Sequence, residues 1–283
     1  MAESPERTGN FVGHDGLKIF YRQFQAVGER ARLVIAHGLG EHSGRYGNVV
    51  NRLLPRGISI WIPDHRGHGR SEGKRGHILT FEQYHLDLRL MIESAREGLA
   101  EGGKVFLLGH SMGGLIALYL TLQSPELIDG VIVSSPGLGM AIEVPGVKIL
   151  LGKAMSFLWP GLTMSSALDA TKISHDKEVV RAYENDPLVH DRVSVRWFTE
   201  FSSAMKTLNQ RASEVSVPIL MQVAGNDHLV SAQASELFFQ KLKVNDKTLY
   251  VYEGSYHEIY NESENQKEKA LNDLEKWLEN HIE

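Results

Sequence analysis

A serine between two glycines, an aspartate that closes an apolar run and a histidine in a late loop are the residues here whose types and spacing can perform acyl transfer. Gly109-His110-Ser111-Met112-Gly113 fits G-x-S-x-G, the nucleophile-elbow pattern. Three fixed positions recur by chance, so the flanks carry the weight. The apolar run VFLL leads in and LIALYL leads out, which places Ser111 on a strand-to-helix turn, with glycines where a Cβ would collide. The plainer alternative is a glycine-rich junction without chemistry. Serine needs a general base at neutral pH. Of the 13 histidines, His257 in YEGSYHE lies in a late post-strand loop, whereas His281 belongs to the C-terminal tail. Asp227 follows PILMQVAGN and precedes His257, which gives the chain order Ser, Asp, His. A carboxylate there holds the imidazole tautomer and stabilises the imidazolium. The bland counterparts are a surface histidine and a turn-forming aspartate. Asp64 also closes an apolar run but precedes the serine. It is expected to fix the DHRGHGRS loop by accepting backbone N–H groups.

An oxyanion needs N–H donors. Met112 follows the nucleophile and would supply one from its backbone. His37-Gly38-Leu39-Gly40 is an HG-type loop after an early apolar run, and the Leu39 N–H would supply the other. A dinucleotide loop is the competing reading of GLGEHSG, but Ser43 stands where the third glycine of G-x-G-x-x-G is required. His65 and His68 form H-x-x-H without an evident third ligand. The chemistry expected is hydrolytic and needs no metal or cofactor.

These residues must be held by strands and helices that alternate. Strands are expected at Leu17–Phe24, Arg32–His37, Ile58–Asp64, Lys104–Leu108, Gly130–Ser134, Pro218–Ala224 and Thr248–Glu253. LVIAH, VFLLG and VIVSS are almost continuously apolar, as parallel strands buried on both faces are. Helices are expected at about 46–55, 81–100, 112–123, 231–243 and 264–281. The alternation predicts an α/β fold, a mostly parallel central sheet with helices on both faces, and the G-x-S-x-G elbow makes the α/β-hydrolase type the expected one. From Pro136 to Arg211 the pattern turns helical with no clear strand. This interval is expected to be a helical cap inserted between core strands, with 1–135 and 212–283 forming the core. The alternative is an ordinary run of sheet-covering helices.

Composition narrows the function classes. The chain has 283 residues, 42% of them hydrophobic and 23% charged, with a formal net charge of -5. No basic patch points to nucleic acid. There is no cysteine, which removes disulfides, thiolate metal sites and cysteine nucleophiles. The polar start MAESPERTGN lacks a signal-peptide core, and no run of about 20 apolar residues can span a bilayer. The expected setting is cytoplasmic.

HGLGEHSGRY, PDHRGHGRSEG, FLLGHSMGG, NDPL, GNDHLV and YEGSYHE resemble the monoacylglycerol lipases and their bacterial relatives, often labelled lysophospholipases. The resemblance runs from about Asp15 to Trp277 and is weakest in the cap. It implies an esterase that releases fatty acid from monoacylglycerol, with the triad Ser111, Asp227 and His257. It also implies that Glu41, Arg45, His110 and Tyr183 bind the glycerol head. From spacing alone, Glu41 and Arg45 are four residues apart and can instead pair with each other. Two positions depart from the mammalian lipase, Tyr260 in place of a second histidine and Val230 in place of a cysteine. The resemblance further implies an acyl tunnel in the cap and contact with membranes. VPGVKILLGKAMSFLWPGL is consistent with that. On a helix, Lys148, Gly152 and Ser156 share one narrow polar stripe, leaving Leu150, Leu151, Met155, Leu158 and Trp159 on a broad apolar surface. That surface can line an acyl pocket, enter a bilayer surface, form a dimer contact or simply fill the cap. Lysophospholipase or general carboxylesterase activity, peptidase activity on small substrates and a silent binding module are the competing functions.

Overall fold

The computed structural model describes residues 6–141, 152 and 154–282. The nearly continuous apolar runs are the buried strands. β3 (Ala31–Ala36), β4 (Ile58–Pro63), β6 (Gly130–Ser134) and β9 (Ile219–Ala224) are buried at every position, and β5 (Lys104–His110) at all but its first. With β1 (Glu6–Val12), β2 (Lys18–Phe24) and β10 (Lys247–Tyr252), they form one eight-stranded sheet in the order β1-β2-β4-β3-β5-β6-β9-β10. The strands from β4 to β10 run parallel, and β2 pairs antiparallel with β4 and β1. The sheet is thus mostly parallel, as the alternation predicts.

Side chains leave a strand on alternate faces, and both faces are covered. Val34 and Ala36 of β3 pack towards α2 (Glu82–Arg96) and α3 (Met112–Gln123). Leu33 and Ile35 pack towards α1 (Gly47–Leu53) and α7 (Glu264–Ile282). The chain leaves β3 for β4 on one side and returns to β5 on the other. The carboxyl ends of β3 and β5 therefore open onto a crevice at the point where the strand order reverses. The two loops expected to carry the oxyanion donors leave from these ends.

Two expectations need correction. The stretch 136–211 is not free of strands. β7 (Thr163–Ser165) and β8 (Arg192–Ser194) pair antiparallel apart from the main sheet, on either side of α4 (Lys177–Asn185) and ahead of α5 (Val195–Arg211). Three residues are too few for a period of two to show against helical flanks. The sequence reading also missed β1, because ERTGNFV is a polar, largely exposed edge strand without an apolar face. Between β8 and the sheet the chain is tied down by backbone contact, with the Ser194 N–H donating to the Gly76 carbonyl at 2.8 Å. The helix after β9, α6 (Ala232–Lys241), completes the cover.

Candidate active site

Ser111 sits between the end of β5 and the start of α3 at φ 53°, ψ −117°. That is a left-handed backbone for a residue with a Cβ, a conformation that persists only where the surroundings over-determine it. They do so here. The Ser111 N–H donates to Ser134 O at 3.0 Å, and its carbonyl accepts from Gly114, Leu115 and Gly137 at 3.0, 3.2 and 2.9 Å. A Cβ on Gly113 would run into the backbone carbonyls of Ala36 and His37, and one on Gly109 into the backbone of Gly113 and Gly114. The two glycines let helix and strand approach closely enough to lift the serine side chain above the sheet.

His257 lies in the loop after β10 and Asp227 in the loop after β9. His257 Nδ1 and Asp227 Oδ2 are 2.6 Å apart, with side-chain exposures of 5% and 0%. The other carboxylate oxygen of Asp227 accepts the N–H groups of Leu229 and Val230 at 2.8 and 3.0 Å. Burial opposes the charge on Asp227, yet His257 and these N–H donors hold its pKa below the ordinary value. Burial likewise works to lower His257, but Asp227, with Glu258 and Glu41 beside it, raises it above the ordinary imidazole value. The imidazole spends Nδ1 on the carboxylate, which leaves Nε2 for a second partner. The loop that carries it is pinned at both ends. Glu258 N–H donates to Ile173 O at 2.8 Å, and buried Glu262 accepts the Tyr256 and Ser263 N–H groups at 2.6 and 2.8 Å.

After β3, the loop 38–41 is braced through Gly38. Its N–H donates to Glu41 Oε1 at 2.5 Å, and its carbonyl lies 2.7 Å from His37 Nδ1. His37 Nε2 in turn accepts the His65 N–H at 2.8 Å, which fixes the proton on Nδ1. Among the described residues, neither the Leu39 nor the Met112 backbone N–H meets a protein acceptor. Asp64 plays the part foreseen for it, accepting the Ser43 and Arg70 N–H groups at 2.7 Å each.

Ser111, Leu39, Leu168 and His257 border two spaces of different character. One is a cavity of about 400 Å³. Its wall is largely apolar, from Met112, Met164, Val193, Trp197, Phe198 and Phe201. The other is a polar recess of about 20 Å³ that reaches Glu41, His110, Tyr183 and Glu258. Arg45 lies behind it. The Arg45 guanidinium donates to both oxygens of Glu258 at 2.8 and 2.6 Å and to Glu41 Oε2 at 3.2 Å, and it stacks over the Tyr183 ring at 4.7 Å. Burial would lower Arg45, but Glu258 and Glu41 raise it above the ordinary value. Glu41 also accepts the Tyr46 hydroxyl at 2.8 Å. The pairing of Glu41 with Arg45 that spacing allowed is thus made. His110 lies with its ring centroid 4.8 Å from that of His257, and burial, helped by His257, pushes its pKa down to about 3. Near neutral pH it is uncharged.

The sequence reading missed Glu258 altogether, although it follows His257 directly. Its partner Arg45 is more than 200 positions away, and no local pattern reports such a pair. The wall residues expected near 150–159 also need revision. Leu150 and Leu151 lie outside the described residues. Met155, Leu158 and Trp159 do not line the cavity; Leu158 and Trp159 are 69% and 68% exposed. Ser156, expected on a narrow polar stripe, is buried and shares a 2.9 Å hydrogen bond with Thr199 Oγ1. The polar side of this turn faces inward and Phe157, Leu158 and Trp159 face out. A pattern on a helical wheel cannot say which face meets the protein when both faces have partners to offer.

Comparison with known proteins supplies a context for this geometry. The profile of the serine aminopeptidase, S33, family matches residues 28–264. A monoacylglycerol lipase of Mycolicibacterium smegmatis is 32% identical, covering 100% of both chains. Phospholipase YtpA of Bacillus subtilis is 34% identical over 83% of this chain and 90% of its own. The crystal structure of Paleococcus ferrophilus monoacylglycerol lipase superposes with a TM-score of 0.85 at 35% identity, covering 93% of this chain and 99% of that one.

Proposed function

From the premise that the chain belongs to the serine aminopeptidase, S33, family of α/β-hydrolases and is a carboxylic ester hydrolase, we propose that it hydrolyses monoacylglycerols to fatty acid and glycerol through a Ser111–His257–Asp227 triad. The observation that carries this reading is the position of Ser111 and His257 between a large apolar cavity and a small polar recess. An ester carbonyl at Ser111 would send its acyl chain into the first and its alcohol towards the second. Clefts of this size suit one long apolar group with a few polar contacts.

In the proposed cycle, neutral His257 takes the proton from Ser111 Oγ as the oxygen attacks the carbonyl carbon. The Leu39 and Met112 N–H groups, both without a protein acceptor among the described residues, receive the oxyanion. One such donor is worth about 2.7–4 kcal/mol where measured. The imidazolium, stabilised by Asp227, protonates the leaving glycerol oxygen. Water then repeats the sequence on the acyl-enzyme. Glu41, His110 and Tyr183 border the space for the alcohol, with Arg45 behind them. Residues 136–211 act as the cap, and the described residues among them supply most of the cavity wall.

A substrate panel tests the reading. We expect kcat/KM for 1-monoacylglycerols to exceed that for lysophosphatidylcholine of the same chain by more than about tenfold, the scale set by leaving one buried polar group without a partner. The reverse order, in line with the phospholipase name of the Bacillus subtilis relative, would overturn the substrate assignment while leaving the hydrolase intact.

The outward side chains Phe157, Leu158 and Trp159, at 82%, 69% and 68% exposure, are the proposed contact with the lipid surface that holds the substrate. Among the described residues no helix is long and apolar enough to cross a membrane, so this contact would be peripheral. Replacing Phe157 and Trp159 by Ser is expected to reduce flotation with phosphatidylcholine liposomes by about tenfold and to leave activity on a dissolved short-chain ester unchanged. Equal flotation of variant and parent would rule the contact out.

A further inference from the structure

An arginine in an alcohol-binding recess ordinarily reads as a receptor for phosphate. Here its charge is spent inside the protein. Every hydrogen bond of the Arg45 guanidinium among the described residues goes to Glu258 or Glu41, and its face is covered by Tyr183. The three charged side chains are 5–8% exposed. Two carboxylates against one guanidinium leave an excess negative charge. Nothing beside it restores the balance, since His110 is hydrogen-bonded to Ser134 and uncharged and Asp227 adds a further carboxylate behind His257. Gly38, Leu39, Ser111, Leu168, Ile173 and His257 complete the border of the recess; of these only His257 can carry a positive charge, and it is uncharged when it acts as the base.

We propose that this recess excludes phosphate-bearing head groups, and that Glu258 is the specificity-determining residue because, with Glu41 already paired to Arg45, it is the second carboxylate that makes the net charge of the cluster negative. The proposal rests on the reading of the recess as the alcohol side of the ester. A phosphate placed there would meet net negative charge in a buried, weakly screened setting, where like charges a few ångströms apart repel strongly. A glycerol hydroxyl donates to the same carboxylates without that cost. Selection is therefore for neutral polyol esters, and it is exercised by repulsion.

The test compares 1-oleoylglycerol with 1-oleoyl lysophosphatidate, and glycerol with glycerol 1-phosphate as inhibitors, in the parent and in Glu258→Gln. The parent is expected to favour the monoacylglycerol and to be inhibited by glycerol 1-phosphate no better than by glycerol. The variant keeps the shape of Glu258 and removes its charge. It is expected to shift the kcat/KM ratio towards lysophosphatidate by about tenfold or more and to acquire competitive inhibition by glycerol 1-phosphate. An unchanged ratio in a folded variant overturns the proposal, as does tighter inhibition of the parent by glycerol 1-phosphate than by glycerol. The inhibitor arm needs no variant. Poor hydrolysis of both lipids beside rapid hydrolysis of short esters, with glycerol 1-phosphate still excluded, sinks the monoacylglycerol reading and leaves the charge rule standing. A preference for monoacylglycerol with an unmoved Glu258→Gln ratio does the opposite.

Discussion

Ser111→Ala is expected to lower kcat/KM by about a million-fold while the protein stays folded, because loss of a triad nucleophile removes the covalent route as a whole. The residual rate would come from the Leu39 and Met112 donors and from binding in the apolar cavity. A second substitution at the same position separates chemistry from conformation. The backbone at Ser111 has φ 53°, a geometry that costs a residue with a Cβ about 1–3 kcal/mol. Ser111→Gly should be equally inactive yet melt higher, since released strain outweighs the roughly 0.5–1 kcal/mol of extra chain entropy that glycine loses on folding. Thermal melts and a fluorogenic short ester are sufficient. An alanine variant with parental activity removes Ser111 from the mechanism, and a glycine variant that melts lower removes the strain.

Asp227→Asn is expected to reduce kcat by about 10,000-fold and to move the pH profile. His257 must be neutral to accept the serine proton. Burial lowers its pKa and Asp227 is the largest influence raising it, with the net result above 6.5. Activity in the parent is therefore full at alkaline pH and lost as pH falls through that raised value. Without the carboxylate, burial is less opposed, so the acid limb of kcat/KM should shift to lower pH even as the plateau collapses. A variant within tenfold of the parent, or one with an unmoved limb, would show that Asp227 does not govern the base.

The sheet was legible because burial on both faces writes itself as unbroken apolar runs. β3, β4, β5, β6 and β9 are such runs; β6 has the expected limits, and the limits of the others differ by at most two residues. The pair formed by Asp227 and His257 was legible for another reason. Parallel strands end at one edge, so post-strand loops far apart in sequence gather there, and the 2.6 Å contact follows from topology. Glu258 was illegible because its role depends on Arg45, whose loop leaves the other half of the sheet. The burial of Ser156 was not legible because helical spacing gives the contrast between two faces but not which one meets the protein. β7 and β8 were too short to carry a period at all.

Most of the wall of the large cavity comes from a different stretch of chain than the reacting groups. Ser111, Asp227, His257 and Leu39 stand on loops of the parallel sheet, fixed by strand ends and by glycine packing that tolerates almost no change. Met164, Val193, Trp197, Phe198 and Phe201 come from the segment between β6 and β9. Drift in that segment can reshape the cavity without displacing an atom at the elbow. Lineages built on this plan can diversify in what they accept while the reacting groups stay put. That is consistent with relatives of comparable identity bearing the names monoacylglycerol lipase and phospholipase.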